Sequence, residues 1–232
     1  MASLLSNTTT TTSRHHIRND LAQLSSVYYS RQLLSLADIE HLQSIQQKVH
    51  NSGHHSNEQN ASHHNPNHKH CTFMSRPAGP DLPANPLRVL APQTLGKLLR
   101  FGQSSWLSAD WSNPDGPLSS VLGPGSSGGG VGNLSIRIAE HWHYDVGGHL
   151  DNDLHFDQGS VITIVTALND DFTGGVFRTF EANNSHLSHP LATGDSCCFV
   201  SHKYHNVTPV LSGFRESLVI ELWEGGIATH GR

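Results

Sequence analysis

The chain has 232 residues, enough for one sizeable domain with its own core. A net charge of -5 with no basic stripe leaves no nucleic-acid footprint, and no run approaches the roughly 18 apolar residues of a membrane span. Only 35% of residues are hydrophobic, which predicts a solvated portion, while histidine, present 19 times, is the compositional anomaly.

The start, Met1 to Ser6, carries too short an apolar stretch for a secretory signal. Residues 1–18, with the Thr8 to Thr12 tract, read as a disordered tail. Being Ser/Thr-rich without an acidic residue before Asp20, this segment is also compatible with an organellar transit peptide. Cys71 and the adjacent Cys197 and Cys198 make no disulfide framework, because neighbours on a strand point to opposite faces. That usage leans toward a reducing, cytoplasmic compartment.

Residues 19–50 form a predicted helical support, broken or in two pieces. Ser35 with Asp38 is an N-cap pattern, and Ile39, Leu42, Ile45 and Val49 recur at helical intervals. Residues 51–92 combine a disordered histidine-rich segment with a proline-rich connector. Histidines 54, 55, 63, 64, 68 and 70 lie among Asn, Ser and Pro that fix no geometry, so a solvated loop explains them more simply than a metal tract. Five prolines from Pro77 to Pro92 resist regular structure. Gln93 to Phe101 is a short helix candidate, Trp106 and Trp111 are candidate core caps, and Gly123 to Gly132 is a glycine-rich loop.

After Asn133 the period changes. Ser135 to Glu140 alternates like a half-buried strand that His141 to Tyr144 can extend. Ser160 to Leu168, Val176 to Phe180, Gly194 to Val200 and Ser217 to Trp223 are further strands between Gly/Asn/Asp turns. Short strands without intervening helices indicate a mainly β fold, a double-stranded β-helix or jelly roll, with the N-terminal helices flanking it. Residues 93–226 are the expected jelly-roll domain.

Three His-x-Asp pairs occur in succession: His143/Asp145, His149/Asp151 and His155/Asp157. On an extended strand the two members of such a pair share a face. His155/Asp157 runs into the long apolar strand, a rigid support for ligands, and is preferred over the His149/Asp151 register. His202 and His205 both qualify as the distant third ligand. His205 is preferred because a single arginine, Arg215, follows it before the closing strand. Two histidines and a carboxylate leave open metal positions, as in non-haem Fe(II) oxygenases. Arginine suits the far carboxylate of a dicarboxylic cosubstrate.

From about Arg137 to Trp223 the chain resembles the Fe(II)/2-oxoglutarate dioxygenases of the prolyl- and lysyl-hydroxylase type. The resemblance is carried by His155-Phe156-Asp157, Ser160, Thr163, Ala167 to Asn169, Asp171 to Phe177, Gly194-Asp195 and His205 through Arg215. It implies His155, Asp157 and His205 as iron ligands and Arg215 as the anchor of 2-oxoglutarate. It also implies Tyr144 and Ser217 as further cosubstrate contacts. The implied reaction consumes O₂ and 2-oxoglutarate, releases succinate and CO₂ and hydroxylates an unactivated C–H bond, with ascorbate as reductant. A protein prolyl or lysyl side chain is the favoured substrate, and a small molecule remains open. The expected substrate loops are Ser104 to Gly132 and Asp145 to Leu154. Two rival readings remain at this point: a metal-holding jelly roll without turnover, and a zinc-dependent hydrolase using three histidines. An Asn206-Val-Thr glycosylation pattern beside His205 argues against secretion, since a glycan there would crowd the site.

Overall fold

A computed structural model of the protein describes residues 22–52, 68–106, 134–150 and 152–223. The expected N-terminal tail, most of the histidine tract, Trp111, the glycine-rich loop and Asp151 lie outside these residues.

Eleven strands and three helices appear among the described residues: β1 (Tyr28–Ser30), α1 (Leu36–Asn51), β2 (Lys69–Phe73), α2 (Pro86–Leu90), α3 (Pro92–Trp106), β3 (Ser135–Tyr144), β4 (Ile162–Ala167), β5 (Phe172–Gly174), β6 (Phe177–Phe180), β7 (His186–Ser188), β8 (Ser196–Val200), β9 (His205–Val207), β10 (Val210–Gly213) and β11 (Arg215–Trp223). A six-stranded major sheet runs β1-β8-β4-β11-β3-β2. Facing it are a three-stranded sheet, β7-β6-β9, and the pair β10-β5. All the strand pairs are antiparallel, as expected of a jelly roll. No described helix is long and apolar enough to cross a membrane.

Side-chain alternation divides the molecule into two cores. Outward residues of the major sheet, including Ile162, Ile164, Cys198, Leu218 and Ile220, pack under the helices against Leu42, Ile45, Leu95 and Leu98. Inward residues Val165, Cys197 and Phe199 meet Phe177 and Val207 from the smaller sheet. Cys197 and Cys198 thus face opposite cores, and burial pushes the Cys197 thiol up to about 12. Trp106 closes the outer core as expected.

Helix α1 begins where its sequence dictates. Ser35 Oγ accepts from the Asp38 backbone N–H at 3.2 Å, and Asp38 Oδ2 accepts from the Ser35 N–H at 2.9 Å. Such a box is worth roughly 1 kcal/mol. Asp38 also receives Thr94 and Lys97 from α3, at 2.9 and 2.6 Å, tying the two helices together.

Two expectations change here. Within the 19–50 support, Tyr28–Ser30 is a strand paired with Cys198 to Ser196, and α1 starts only at Leu36. The aromatic pair Tyr28-Tyr29 favours a strand, and β8 offers the partner edge. Within the 51–92 segment, Lys69–Phe73 pairs with β3 and Pro86–Leu90 is helical. Backbone pairing, which composition does not report, recruits this polar stretch. The major sheet therefore draws its two edge strands from sequence before residue 93.

Candidate metal centre

Asp157 lies at the inner end of β4, but on a loop. The His155 to Asp157 segment is not a strand, and Ser160 N–H returning to the Asp157 carbonyl at 3.2 Å turns the chain before β4 begins. The shared-face argument from strand geometry therefore does not apply. What aims the pair is a set of hydrogen bonds. The Asp157 backbone N–H donates to Ser201 O at 2.9 Å, and Thr163 Oγ donates to Asp157 Oδ2 at 2.6 Å. The His205 N–H donates to His155 O at 3.0 Å, which pins the loop to β9.

The three side chains converge. His155 Nε2 is 3.2 Å from Asp157 Oδ1, and His205 Nε2 is 3.7 Å from Asp157 Oδ2. The imidazoles meet edge to face with centroids 4.9 Å apart, and the three ligand atoms all lie within 4.8 Å of one another. Adjacent ligands about 2.1 Å from one six-coordinate ion stand roughly 3 Å apart, so small side-chain adjustments suffice for a metal. No other group of three among the described residues brings all its ligand atoms this close together. Asp157 and His205 are buried, whereas the His155 side chain is 24% exposed, leaving one side of the cluster open. Burial raises the Asp157 pKa, but His205, His155 and Thr163 outweigh it and hold the carboxyl well below its usual range. His205 Nδ1–H donates to the Lys203 carbonyl at 3.0 Å, so Nε2 carries the lone pair toward Asp157. Phe199 and Phe177 pack against the His205 ring, with centroids 5.0 and 5.7 Å away.

The alternatives separate in space. His202 stacks on Phe156. His149 uses Nδ1 to donate to Gly147 O at 2.7 Å, and its Asp151 lies outside the described residues. His143 faces the opposite side of the major sheet.

A cavity of 220 Å³ adjoins the cluster through Phe177 and is also lined by Phe172, Gly175, His189 and Arg215. Arg215 and Tyr144 are opposite one another on β11 and β3, both buried, with the guanidinium carbon 5.6 Å from the ring centroid. Arg215 donates to Ser217 Oγ at 2.8 Å, but no acidic side chain among the described residues pairs with it. Burial lowers its pKa accordingly. A buried cation without a counter-charge is costly unless an anion completes it. Gly175 lets the backbone lie close to Arg215: its φ is +56°, and a Cβ there would stand 3.1 Å from Arg215 Cδ.

Sequence reasoning missed the polar chain behind the cavity. His189 is buried. Its Nδ1 meets the Tyr29 hydroxyl, and its Nε2 meets Thr179 Oγ1 at 2.7 Å. Thr179 also donates to Glu181 at 2.8 Å, and Glu181 accepts from the buried Lys203 Nζ at 3.0 Å. Single residues scattered through short polar strands give no periodic signal. Burial lowers the His189 pKa to about 4. Between that value and the ordinary 6.5 the unfolded chain binds more protons, so this stability is complete above 6.5 and is lost as pH falls toward 4. The loss is roughly 3 kcal/mol. Urea titrations across this window will show that slope reduced in His189→Gln; an unchanged slope refutes the assignment.

No protein-family profile matches the chain, and no curated protein is similar to it in sequence. Its fold is nonetheless that of the 2-oxoglutarate–Fe(II) oxygenases. A family member from Burkholderia pseudomallei superimposes with a TM-score of 0.59 at 13% identity, covering 99% of this chain and 98% of its own. A Pseudomonas putida prolyl-4-hydroxylase gives 0.52 at 15% identity, with 92% and 100% covered. A Trichoplax adhaerens prolyl hydroxylase, solved with a hypoxia-inducible-factor peptide, gives 0.53 at 15%, with 94% of each chain covered.

Proposed function

We propose that the protein is an Fe(II)- and 2-oxoglutarate-dependent dioxygenase that hydroxylates an unactivated C–H bond, with a protein prolyl or lysyl side chain as the favoured substrate. One observation carries this reading: a two-histidine, one-carboxylate cluster sits inside a jelly roll beside a cavity whose buried Arg215 has no acidic partner among the described residues. His155, Asp157 and His205 hold the iron in this proposal. Bound iron would couple O₂ reduction to oxidative decarboxylation of the cosubstrate, releasing succinate and CO₂, with ascorbate as reductant.

The chain's own residues do the remaining work. Arg215 receives the distal carboxylate of 2-oxoglutarate, with Ser217 fixing the guanidinium fork. Tyr144 walls that end of the pocket and can offer its hydroxyl to the same anion. Phe177 and Phe199 exclude water around His205. The peptide-bound neighbour supports a protein substrate, as does the open side of the cluster at His155.

Arg215→Met tests the cosubstrate assignment. Removing the buried cation should raise the 2-oxoglutarate requirement on the order of 10²-fold, read as succinate formed against cosubstrate concentration. Iron affinity should stay near that of the unaltered protein. An unchanged 2-oxoglutarate requirement sinks the reading.

A further inference from the structure

The outer face of the major sheet carries a second cluster that the proposed reaction does not use. Strand alternation turns Tyr144 and Arg215 inward and their chain neighbours His143 and Glu216 outward. His143 and Glu216 are direct cross-strand partners, and His141 lies two residues back on the same face of β3. Helix α1 covers this corner, with Gln43 Nε2 donating to Glu216 Oε2 at 2.8 Å.

Two imidazole nitrogens approach one carboxylate oxygen. His143 Nδ1 is 3.1 Å from Glu216 Oε1, and His141 Nε2 is 3.9 Å from the same oxygen. Donor atoms about 2.0 Å from a tetrahedral ion are roughly 3.3 Å apart, so the two separations bracket what a bound ion needs. Two of these donors are also braced from behind. His143 Nε2 meets Asp145 Oδ1 at 3.2 Å, the carboxylate support characteristic of ligating imidazoles. Gln43 holds the far oxygen of Glu216.

His141 decides what the cluster is for. It is 2% exposed, and Nε2 has no hydrogen-bond partner among the described residues. Nε2 faces Glu216 Oε1 across 3.9 Å, too far for a hydrogen bond. Burial lowers the His141 pKa to about 4, so the ring is neutral at physiological pH. A buried ring nitrogen left unpartnered beside a carboxylate oxygen is costly, and a cation held between the two would satisfy both. His143 alone is explained without an ion, held between the Glu216 and Asp145 carboxylates. His141 is not.

We propose that this face binds a divalent cation of the zinc class through His141 Nε2, His143 Nδ1 and Glu216 Oε1, with water as a fourth ligand. The ion displaces the Nδ1 proton of His143, and two imidazoles with a carboxylate suit it. Access is through His143, whose side chain is 28% exposed. Bound there, the ion clamps β3 to β11 one residue away from both Tyr144 and Arg215, and so braces the wall of the inner cavity.

The test separates the two sites. In the Asp157→Asn protein, which removes the inner carboxylate, zinc should raise Tm by roughly 5–10 °C at saturating concentration. Adding His141→Leu or Glu216→Gln should abolish that rise and weaken zinc binding at least 100-fold. Zinc held only by exposed histidines would not shift Tm in this pattern. No rise in the Asp157→Asn protein, or a rise that survives both outer-face changes, overturns the proposal. Anomalous diffraction from zinc-soaked crystals of the unaltered protein gives an independent reading. A peak among His141, His143 and Glu216 supports it, and a peak at the inner cluster alone overturns it.

Discussion

Asp157→Asn is expected to lower iron-dependent 2-oxoglutarate turnover on the order of 10³-fold or more while leaving the fold intact. The argument begins with shape. Asparagine is nearly isosteric, so Oδ1 can still accept from Thr163, and the backbone bond to Ser201 is untouched. Charge is what disappears. The carboxylate is the one anionic member of the inner cluster, and interactions with His205, His155 and Thr163 keep it ionised despite burial. An amide in its place also turns an N–H₂ toward His155 Nε2, where it competes with a metal for the imidazole lone pair. Losing one charged ligand removes several kcal/mol, and each 1.36 kcal/mol is a factor of ten in rate. Succinate release after chelation and Fe(II) reloading measures this directly. Chelation should silence the unaltered protein and Fe(II) should restore it, whereas the Asp157→Asn protein should stay silent. Activity within tenfold of the unaltered protein would remove Asp157 from the proposed ligand set.

The inner site was legible in the sequence because its members are bound to local signals. His155 and Asp157 sit just before the apolar run of β4, and the ten-residue spacing from His205 to Arg215 spans β9, β10 and one turn, with both ends facing inward. The strand argument for the pair was nevertheless mistaken. A loop held by Ser160, Ser201 and Thr163 does the aiming, and those contacts join residues up to 44 positions apart. The sheet's edges were hidden for another reason. β1 and β2 are short and partly polar, and they are strands because β8 and β3 present unpaired edges to them. The outer histidines were read correctly as an extension of β3, but nothing in one dimension reveals that Glu216 stands opposite His143.

Lys203→Met should destabilise the protein by about 3–5 kcal/mol and weaken iron binding with it. A lysine in a short loop normally reads as a solvated residue, yet this side chain is wholly buried. Nζ donates to Gln23 O at 2.9 Å, Ser25 O at 3.0 Å and Glu181 Oε2 at 3.0 Å, using all three of its protons. Burial lowers its pKa and Glu181 opposes that shift, so the charge is retained by its partners. Methionine fills the space but leaves two carbonyls without their donor and a carboxylate without its cation. Glu181 is 27% exposed and can recruit water, which places the cost toward the lower end of the range. Iron is affected through the backbone, because the Lys203 carbonyl accepts from His205 Nδ1 and fixes that ring's tautomer. The N-terminal segment carrying Gln23 and Ser25 is thereby coupled to a proposed metal ligand across some 180 residues of sequence. Glu181→Gln separates charge from connection: it keeps an acceptor for Nζ and should cost only about 1 kcal/mol. Urea unfolding of both variants, with Fe(II) affinity measured alongside, checks the argument. Equal costs for the two, or a Lys203→Met protein as stable as the unaltered one, would show that the buried ammonium does not hold the arm to the site.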